Sequence, residues 1–532
     1  MLGSSFEPAC PVVLKFGGTS VAQVGHWSTI AHIARNRLLG GEQPLIVCSA
    51  LSGVSNKLEN ALDATADSRR IAGTLQAVRD QHAALAEAMG VDFESTVGGE
   101  FAELTRLFEQ IRTDGVTPKT HARIMAKGEL LSTRLGAAYL AQQGLATHWL
   151  DAREWLRAEV AESGMDGQEY LSAVCDCSAD ERFATYLADR PDTIFITQGF
   201  IAGNDTGECV LLGRGGSDTS AAYFAAKLQA RRLEIWTSVP GLFTTNPAKN
   251  EDARLLTRVC FDEAQAIATM GGKVLHPRCL QPCRDAKIPV QISWTDAPHV
   301  AGTRIELSHE ALTPGVKAVS SRADVVLISM ERDPEWQPVG FMADVSACFQ
   351  RHGLSIDLLS TSPGNIRVTV DLSTSPNART IIEACVADLT EVCRPSVDWD
   401  VNCISLVGRG LREQMPRLAP VWSSLPPEHV RMISHSADDT HWSCIVAHEH
   451  AADLVRQVHR LLFSEGCEDQ PFGPTWTTLK RHAEAPDWDG EAATDGARGG
   501  DEQLLPFGRY LLDAAERRRR ALLKLTEVSD GA

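Results

Sequence analysis

The stretch PVVLKFGGTS, Pro11 to Ser20, sets the fold class. An apolar run reaching Lys15 and breaking at Gly17 and Gly18 reads as a short buried strand that enters a tight turn. Helical spacing follows through Ile30, Ile33 and Leu38. PLIVCSALSG, Pro44 to Gly53, repeats the pattern: a buried strand ending in small polar residues. From Asn56 to Tyr139 the chain is mostly helical and rich in Ala and Leu, after which strand-like runs return in ATHWLD, TIFITQGF and CVLLGRGG. Strands alternating with helices predict an α/β sandwich on a largely parallel sheet. Ligands of such a sheet sit beyond the carboxyl ends of its strands.

Composition narrows the function classes. The 532 residues suggest two to four domains. Hydrophobic content of 43% and charged content of 23% are those of a globular chain. Lys and Arg number 51 against 69 Asp and Glu, a net charge of −18, which argues against a broad nucleic-acid surface. No apolar run approaches the roughly 20 residues that span a bilayer, and Met1 to Pro11 lacks the basic and apolar regions of a signal peptide. The cytoplasm is the expected location. Fourteen scattered cysteines read as reduced thiols and not as a disulfide framework.

Past Ser308 the texture changes to two shorter units of strands and helices. One contains VVLISM, GFMADVSACFQRHG, SIDLLST and NIRVTVDL; the other contains NCISLVG, HVRMISHS, HWSCIVA and a helix from His450 to Phe463. The polar, acidic run from His482 to Gln503 reads as a linker. A last helical stretch, Leu504 to Leu525, carries Arg517 to Arg520, read as a solvated face.

The chemistry concentrates in two glycine elements. Lys15 with Gly17 and Gly18 puts one cation beside a turn whose backbone N–H groups can approach phosphate oxygens closely. GRGGSDTSAA, Gly213 to Ala222, sets Arg214, a glycine pair, Ser217 and Asp218 at the start of an Ala-rich helix, where unpaired N–H groups and the macrodipole favour anions. An ordinary helix cap would account for Ser217 and Asp218 but not for Arg214 and the glycines. Clustered donors around a migrating phosphate account for all of them. His435, His441, Cys444, His448 and His450 fall on alternating strand positions and a helix start, without metal-ligand spacing. Cys175 and Cys177 read as buried or loop thiols, and no metal site is assigned.

Six segments resemble the aspartokinase branch of the amino-acid kinase family, in the family's order: KFGGTS (15–20), SALSGVSN (49–56), GE (128–129), GRGGSD (213–218), GLFTTNP (241–247) and GGKVLHPR (271–278). The resemblance covers roughly residues 11 to 465. It implies an αβα sandwich catalytic domain over 1–308, and two ferredoxin-like ACT regulatory domains over 309–395 and 396–470. Residues 471–532 then form a linker and helical extension, similar to the arrangement in aspartokinases fused to diaminopimelate decarboxylase.

The implied reaction is ATP-dependent phosphorylation of the L-aspartate β-carboxylate to aspartyl phosphate, at the head of lysine, threonine and methionine synthesis. By this resemblance Lys15 stabilises the transferred phosphoryl group and Asp218 orients Lys15. Ser49, Ser55, Glu129, Arg214 and Ser217 surround aspartate. Gly17, Gly18, Gly215, Gly216, Thr237, Ser238, Phe243 and Lys273 line the ATP site, with Mg²⁺ carried on the nucleotide. A dicarboxylate with an α-ammonium independently calls for a guanidinium, hydroxyl donors and an acidic partner. Its β-carboxylate is already ionised at neutral pH, so no general base is needed.

Three positions, Ser238, Asn246 and Ala248, depart from the family. Ser238 stands where Asp is usual, and Ala248 replaces the Arg of a D-P-R sequence that here reads Asn246, Pro247 and Ala248. Each lost charge-assisted contact to ATP weakens binding by about 1–3 kcal/mol. The alternative to a working kinase is a catalytically impaired amino-acid sensor of the same fold. In the first ACT domain, Gly340, Phe341, Met342, Asp357 and Ser362 are the implied effector residues, with Asp357 meeting an ammonium. Lysine or threonine is the implied effector and a homodimer through the ACT domains the implied assembly. Pro363 stands where many lysine-sensitive relatives carry Glu.

Overall fold

The computed structural model describes residues 10–64, 67–159, 167–272, 274–307, 313–332, 339–374, 377–425, 429–463 and 471–483. The expected linker and helix beyond residue 483 lie outside these. The chain divides into two compact units, one built on residues up to 242 with 274–307, the other on 243–273 with 308–477. Among the described residues no helix is long and apolar enough to cross a membrane.

The first unit is built on a sheet whose strands lie in the order β3 (Thr147–Trp149), β4 (Ile194–Gln198), β2 (Glu42–Cys48), β1 (Cys10–Phe16), β5 (Leu233–Thr237), β6 (Val290–Trp294) and β7 (Thr303–Glu306). Pairing is parallel from β3 through β6 and antiparallel between β6 and β7. Every residue of β2 and the centre of β1 are buried, as strands covered on both faces must be. The parallel sheet read from PVVLKFGGTS and PLIVCSALSG is therefore the observed one. Cover comes from helices including α1 (Val24–Leu39), α2 (Val54–Leu62), α3 (Pro118–Gln142) and α4 (Gly216–Lys227). Helix α3 has a Thr117 capping box and Pro118 in its first turn, which fixes where it starts. It passes α1 closely because Gly136 has no side chain. A Cβ there would stand 2.0 Å from the ring of Trp27, which is fully buried and donates its indole N–H to Val21.

The second unit carries a six-stranded antiparallel sheet: β9 (Leu358–Ser362), β10 (Asn365–Asp371), β8 (Gly315–Glu331), β11 (Arg394–Arg409), β13 (His441–Ala447) and β12 (Val430–His435), in that order. Strands β8 and β11 are 17 and 16 residues long and pair along their length, with register shifts around Arg322 to Leu327. Each long strand thus serves two modules. One packs Val326, Ile328 and Val368 against α5 (Phe341–Arg351) and α6 (Ala378–Leu389); the other packs Val319, Leu406 and Val446 against α7 (His448–Phe463). Residues 243–273 pack here as well. The Val319 N–H donates to the Thr244 carbonyl at 2.7 Å, and the buried Thr244 hydroxyl meets His459 Nε2 on α7 at 2.8 Å. Residues Phe472–Thr475, read from the sequence as the start of an extension, form a strand against Arg254–Leu256.

Candidate functional site

Parallel pairing brings the ends of β1, β2 and β5 side by side, with Phe16 level with Cys48 and Trp236. The chain therefore turns at Gly17–Gly18, Ser49–Ala50 and Thr237–Ser238 at one edge of the sheet. The first two turns interlock: the Ser49 N–H donates to Phe16 O at 3.1 Å and the Ser52 N–H to Gly18 O at 3.1 Å. A Cβ on Gly18 would lie 2.8 Å from the Ala50 carbonyl oxygen, so this contact requires glycine.

Helix α4 delivers the second element. Gly213 and Gly215 hold φ of 72° and 67°, left-handed values that swing the chain into the helix. The Gly215 backbone lies against His276, whose ring would be 2.1 Å from a Cβ, and a Cβ on Gly199 would stand 2.7 Å from Ser217 Cβ, so both approaches require glycine. Asp218, in the first turn, then reaches Lys15. Nζ to Oδ1 is 2.5 Å, and the two side chains are 11% and 12% exposed. The His276 N–H donates to the other carboxylate oxygen at 3.3 Å. Lys15 and Asp218, 203 positions apart, are brought together by the sheet and by two glycine turns.

Glu129 supplies the acidic wall. It lies on α3, where Gly128 lets the helix approach until a Cβ would be 2.7 Å from Ala50 Cβ. The Ala50 N–H supports the Glu129 carboxyl, but burial outweighs it and pushes the group up to about 8. Its Oε2 is buried with no hydrogen-bond partner. The next turn of the helix ties back to the strand end, Ser132 Oγ donating to Ser49 O at 2.8 Å.

Of the other expected residues, Gly216 starts α4, its missing Cβ leaving Phe200 in place, and Arg214 lies exposed on the turn. Ser55 sits in the first turn of α2. Thr237 accepts the Thr295 N–H at 2.9 Å. Ser238 lines a cavity of about 250 Å³ with Thr19, Ser20, His26, Ser52 and Asp296. Phe243 belongs to the second unit, edge-on to Trp476 at 5.7 Å, and Lys273 lies outside the described residues. His276 was not singled out by sequence reasoning. GGKVLHPR carried it, but nothing local showed that its ring would face Gly215.

In the second unit Gly340, at φ 110°, opens α5. Phe341 packs on the module core beside the Arg332 guanidinium, and Met342 is exposed. Ser362 pairs with Asn365 in the β9–β10 hairpin. Asp357 already holds a cation: Arg322 Nη2 stands at 2.7 Å and also joins Asp371 through Nη1 at 3.3 Å. Desolvation raises the Asp357 carboxyl despite that neighbour. The histidines of the β12–β13 region are not gathered at one point. His435 bonds Asp439 at 2.9 Å and His448 bonds Asn402 at 2.7 Å, while Cys444 is core. Cys175 is buried, which pushes its thiol up to about 12, and Cys177 is half-buried.

The amino acid kinase family model matches residues 11–293, slightly more than half the chain. The lysine-sensitive aspartokinase 3 of Escherichia coli K12 is 30% identical over 462 residues, spanning 85% of this chain and 99% of that protein. The chain belongs to the aspartokinase branch of the amino acid kinase family. An aspartokinase of Chlamydia trachomatis is 28% identical over 86% of this chain and 99% of its own. The crystal structure of E. coli aspartokinase III with aspartate and ADP aligns with a TM-score of 0.73 and 30% identity, covering 85% of this chain and all of that one. Within this aspartokinase, the lysine–aspartate pair, the glycine turns and the buried glutamate all fall inside the segment that the family model matches.

Proposed function

We infer that this aspartokinase phosphorylates the β-carboxylate of L-aspartate with ATP. The observation that carries the reading is the Lys15–Asp218 pair, set at 2.5 Å between two glycine turns at the carboxyl edge of a parallel sheet. Asp218 holds Lys15 in one rotamer. The ammonium then faces the developing phosphoryl charge with little reorganisation. Backbone N–H groups at Gly17, Gly18 and Gly215 donate to the phosphate oxygens around it.

Glu129 supports aspartate as the acceptor. Its unpartnered Oε2 gains a partner when an α-ammonium arrives, and Arg214 with the hydroxyls of Ser49, Ser55 and Ser217 takes the carboxylates. The Asp218 oxygens are occupied by Lys15 and the His276 N–H. Mg²⁺ accordingly enters on the phosphate oxygens of ATP, where it neutralises their charge.

Feedback acts through the second unit. E. coli aspartokinase III is also known in complex with lysine and aspartate, and its 28% identity over 85% of this chain supports lysine as the effector, with threonine second. Gly340, Phe341, Met342, Asp357 and Ser362 bind it, and a homodimer of regulatory modules provides the bistable element. Arg322 is the group the effector's ammonium displaces from Asp357.

The test is hydroxylamine trapping of the acyl phosphate with MgATP, aspartate against glutamate, with and without lysine or threonine. Aspartyl hydroxamate that disappears in Lys15→Ala and falls with millimolar lysine is expected. Glutamyl product in excess would overturn the acceptor assignment. No product with normal aspartate binding would favour a sensor, the reading that Ser238 and Ala248 suggest.

A further inference from the structure

The two helices on the outer face of the first regulatory module bring together thiols that the sequence keeps 37 residues apart. Cys348 Sγ on α5 and Cys385 Sγ on α6 are 3.7 Å apart, both in the module core. His352 lies one turn beyond Cys348, and a ring nitrogen of it falls within 4.8 Å of both sulfurs. Asp388, one turn beyond Cys385, holds His352 Nε2 at 2.9 Å. Each helix therefore contributes a thiol, the residue that caps α5 adds an imidazole, and Asp388 of α6 holds that imidazole. Among the described residues no other group of three or more His, Cys, Asp or Glu side chains has this spacing.

We propose that Cys348, Cys385 and His352 form a site for a zinc-like divalent cation, with Asp388 as the carboxylate that orients the imidazole and the fourth position open at the exposed side. The geometry carries this. Two sulfurs bound at about 2.3 Å on a tetrahedral ion are about 3.8 Å apart, and these thiols already stand at that separation. The imidazole needs to close by on the order of 1 Å. A carboxylate on the histidine is the usual partner that fixes the ring and raises its basicity as a ligand. The site also has an entrance, since the His352 and Asp388 side chains are 20% and 49% exposed while the thiols lie beneath them. Two thiols filling a core would explain Cys348 and Cys385 alone. They leave the imidazole–carboxylate pair at their open side unaccounted for.

A cation here ties α5 to α6 and so fixes the helix that begins at Gly340. A cation is held by thiolates, whereas unbound thiols are protonated near neutral pH. Uptake near neutral pH must then expel thiol protons, and the affinity rises with pH.

The test uses the full chain, reduced and stripped by a chelator, titrated with Co²⁺ and then Zn²⁺. One Co²⁺ per chain with a thiolate-to-cobalt charge-transfer band, displaced by Zn²⁺ with proton release and a higher melting temperature, is expected. The band should vanish when Cys348→Ser and Cys385→Ser are combined, and affinity should fall about 10–100-fold in Asp388→Asn. If the double variant does not fold, His352→Ala, at the exposed edge, decides by losing at least about tenfold in affinity. No thiolate band, an unchanged band in those variants, or a Cys348–Cys385 disulfide with no metal uptake would overturn the site.

Discussion

On the proposed function two residues set the chemistry at the sheet edge, and they are tuned in opposite ways. Lys15 is paired and held, so Lys15→Ala removes a pre-oriented charge from the transferring phosphoryl group. The expected loss is about 10²–10³-fold in kcat with little change in aspartate affinity, measured by hydroxamate formation and by calorimetry. Glu129 is unpaired and raised to about 8, hence protonated at neutral pH until an ammonium arrives. Aspartate binding should therefore release a proton near pH 7. Affinity should climb with pH to about 8 and then level, by up to about tenfold per unit. In the ligand-free chain a raised carboxyl favours the fold most below its unfolded value of about 4, and that contribution is lost as pH rises toward 8. Calorimetry in buffers of different ionisation enthalpy checks the proton. Glu129→Gln should abolish both the release and the slope.

Elements decide how these residues meet. The strands ending at Phe16 and Cys48 were legible because a fully buried parallel strand is a short apolar run, and the turn at Gly17–Gly18 because glycine there has a steric cause. Asp218 at a helix start was legible for the same reason. Gly136 was not: its neighbour Trp27 sits 109 positions earlier, and no local pattern reports a helix crossing. Nor did the sequence show that β8 and β11 each run through both modules, since the register shifts around Arg322 look like a break between strands. The thiol and imidazole set on α5 and α6 escaped because its ligands come from two helices and no compact spacing marks them. Gly136→Ala forces a methyl to within about 2 Å of a buried indole, an overpacking that costs about 1–3 kcal/mol or more. Chemical denaturation of the variant should show that loss, while the catalytic constants of the folded fraction stay near wild type.

On the scale of the whole molecule, the chain leaves the first unit after Leu242, and Phe243 and Thr244 already belong to the unit that carries the regulatory modules. Thr244 is held there by His459 on α7. If Phe243 binds ATP, as the resemblance implies, α7 grips the residue next to it. His459 is buried, and desolvation lowers its imidazole to about 4. The sign follows from the neutral ring being the folded form: its stabilisation is complete above the unfolded value of about 6.5 and drains away as pH falls toward 4. The difference amounts to about 3 kcal/mol by pH 4. Denaturant midpoints of the second unit should drop between pH 7 and pH 4.5 in the wild-type chain and drop less in His459→Gln, which keeps a polar partner for Thr244 without titrating. The same variant reports on coupling. With Thr244 held less firmly, the KM for ATP should rise and the response to lysine should weaken, while aspartate affinity, which the proposed function assigns to Glu129 and Arg214, stays unchanged. Equal losses toward both substrates would mean that His459 serves folding alone.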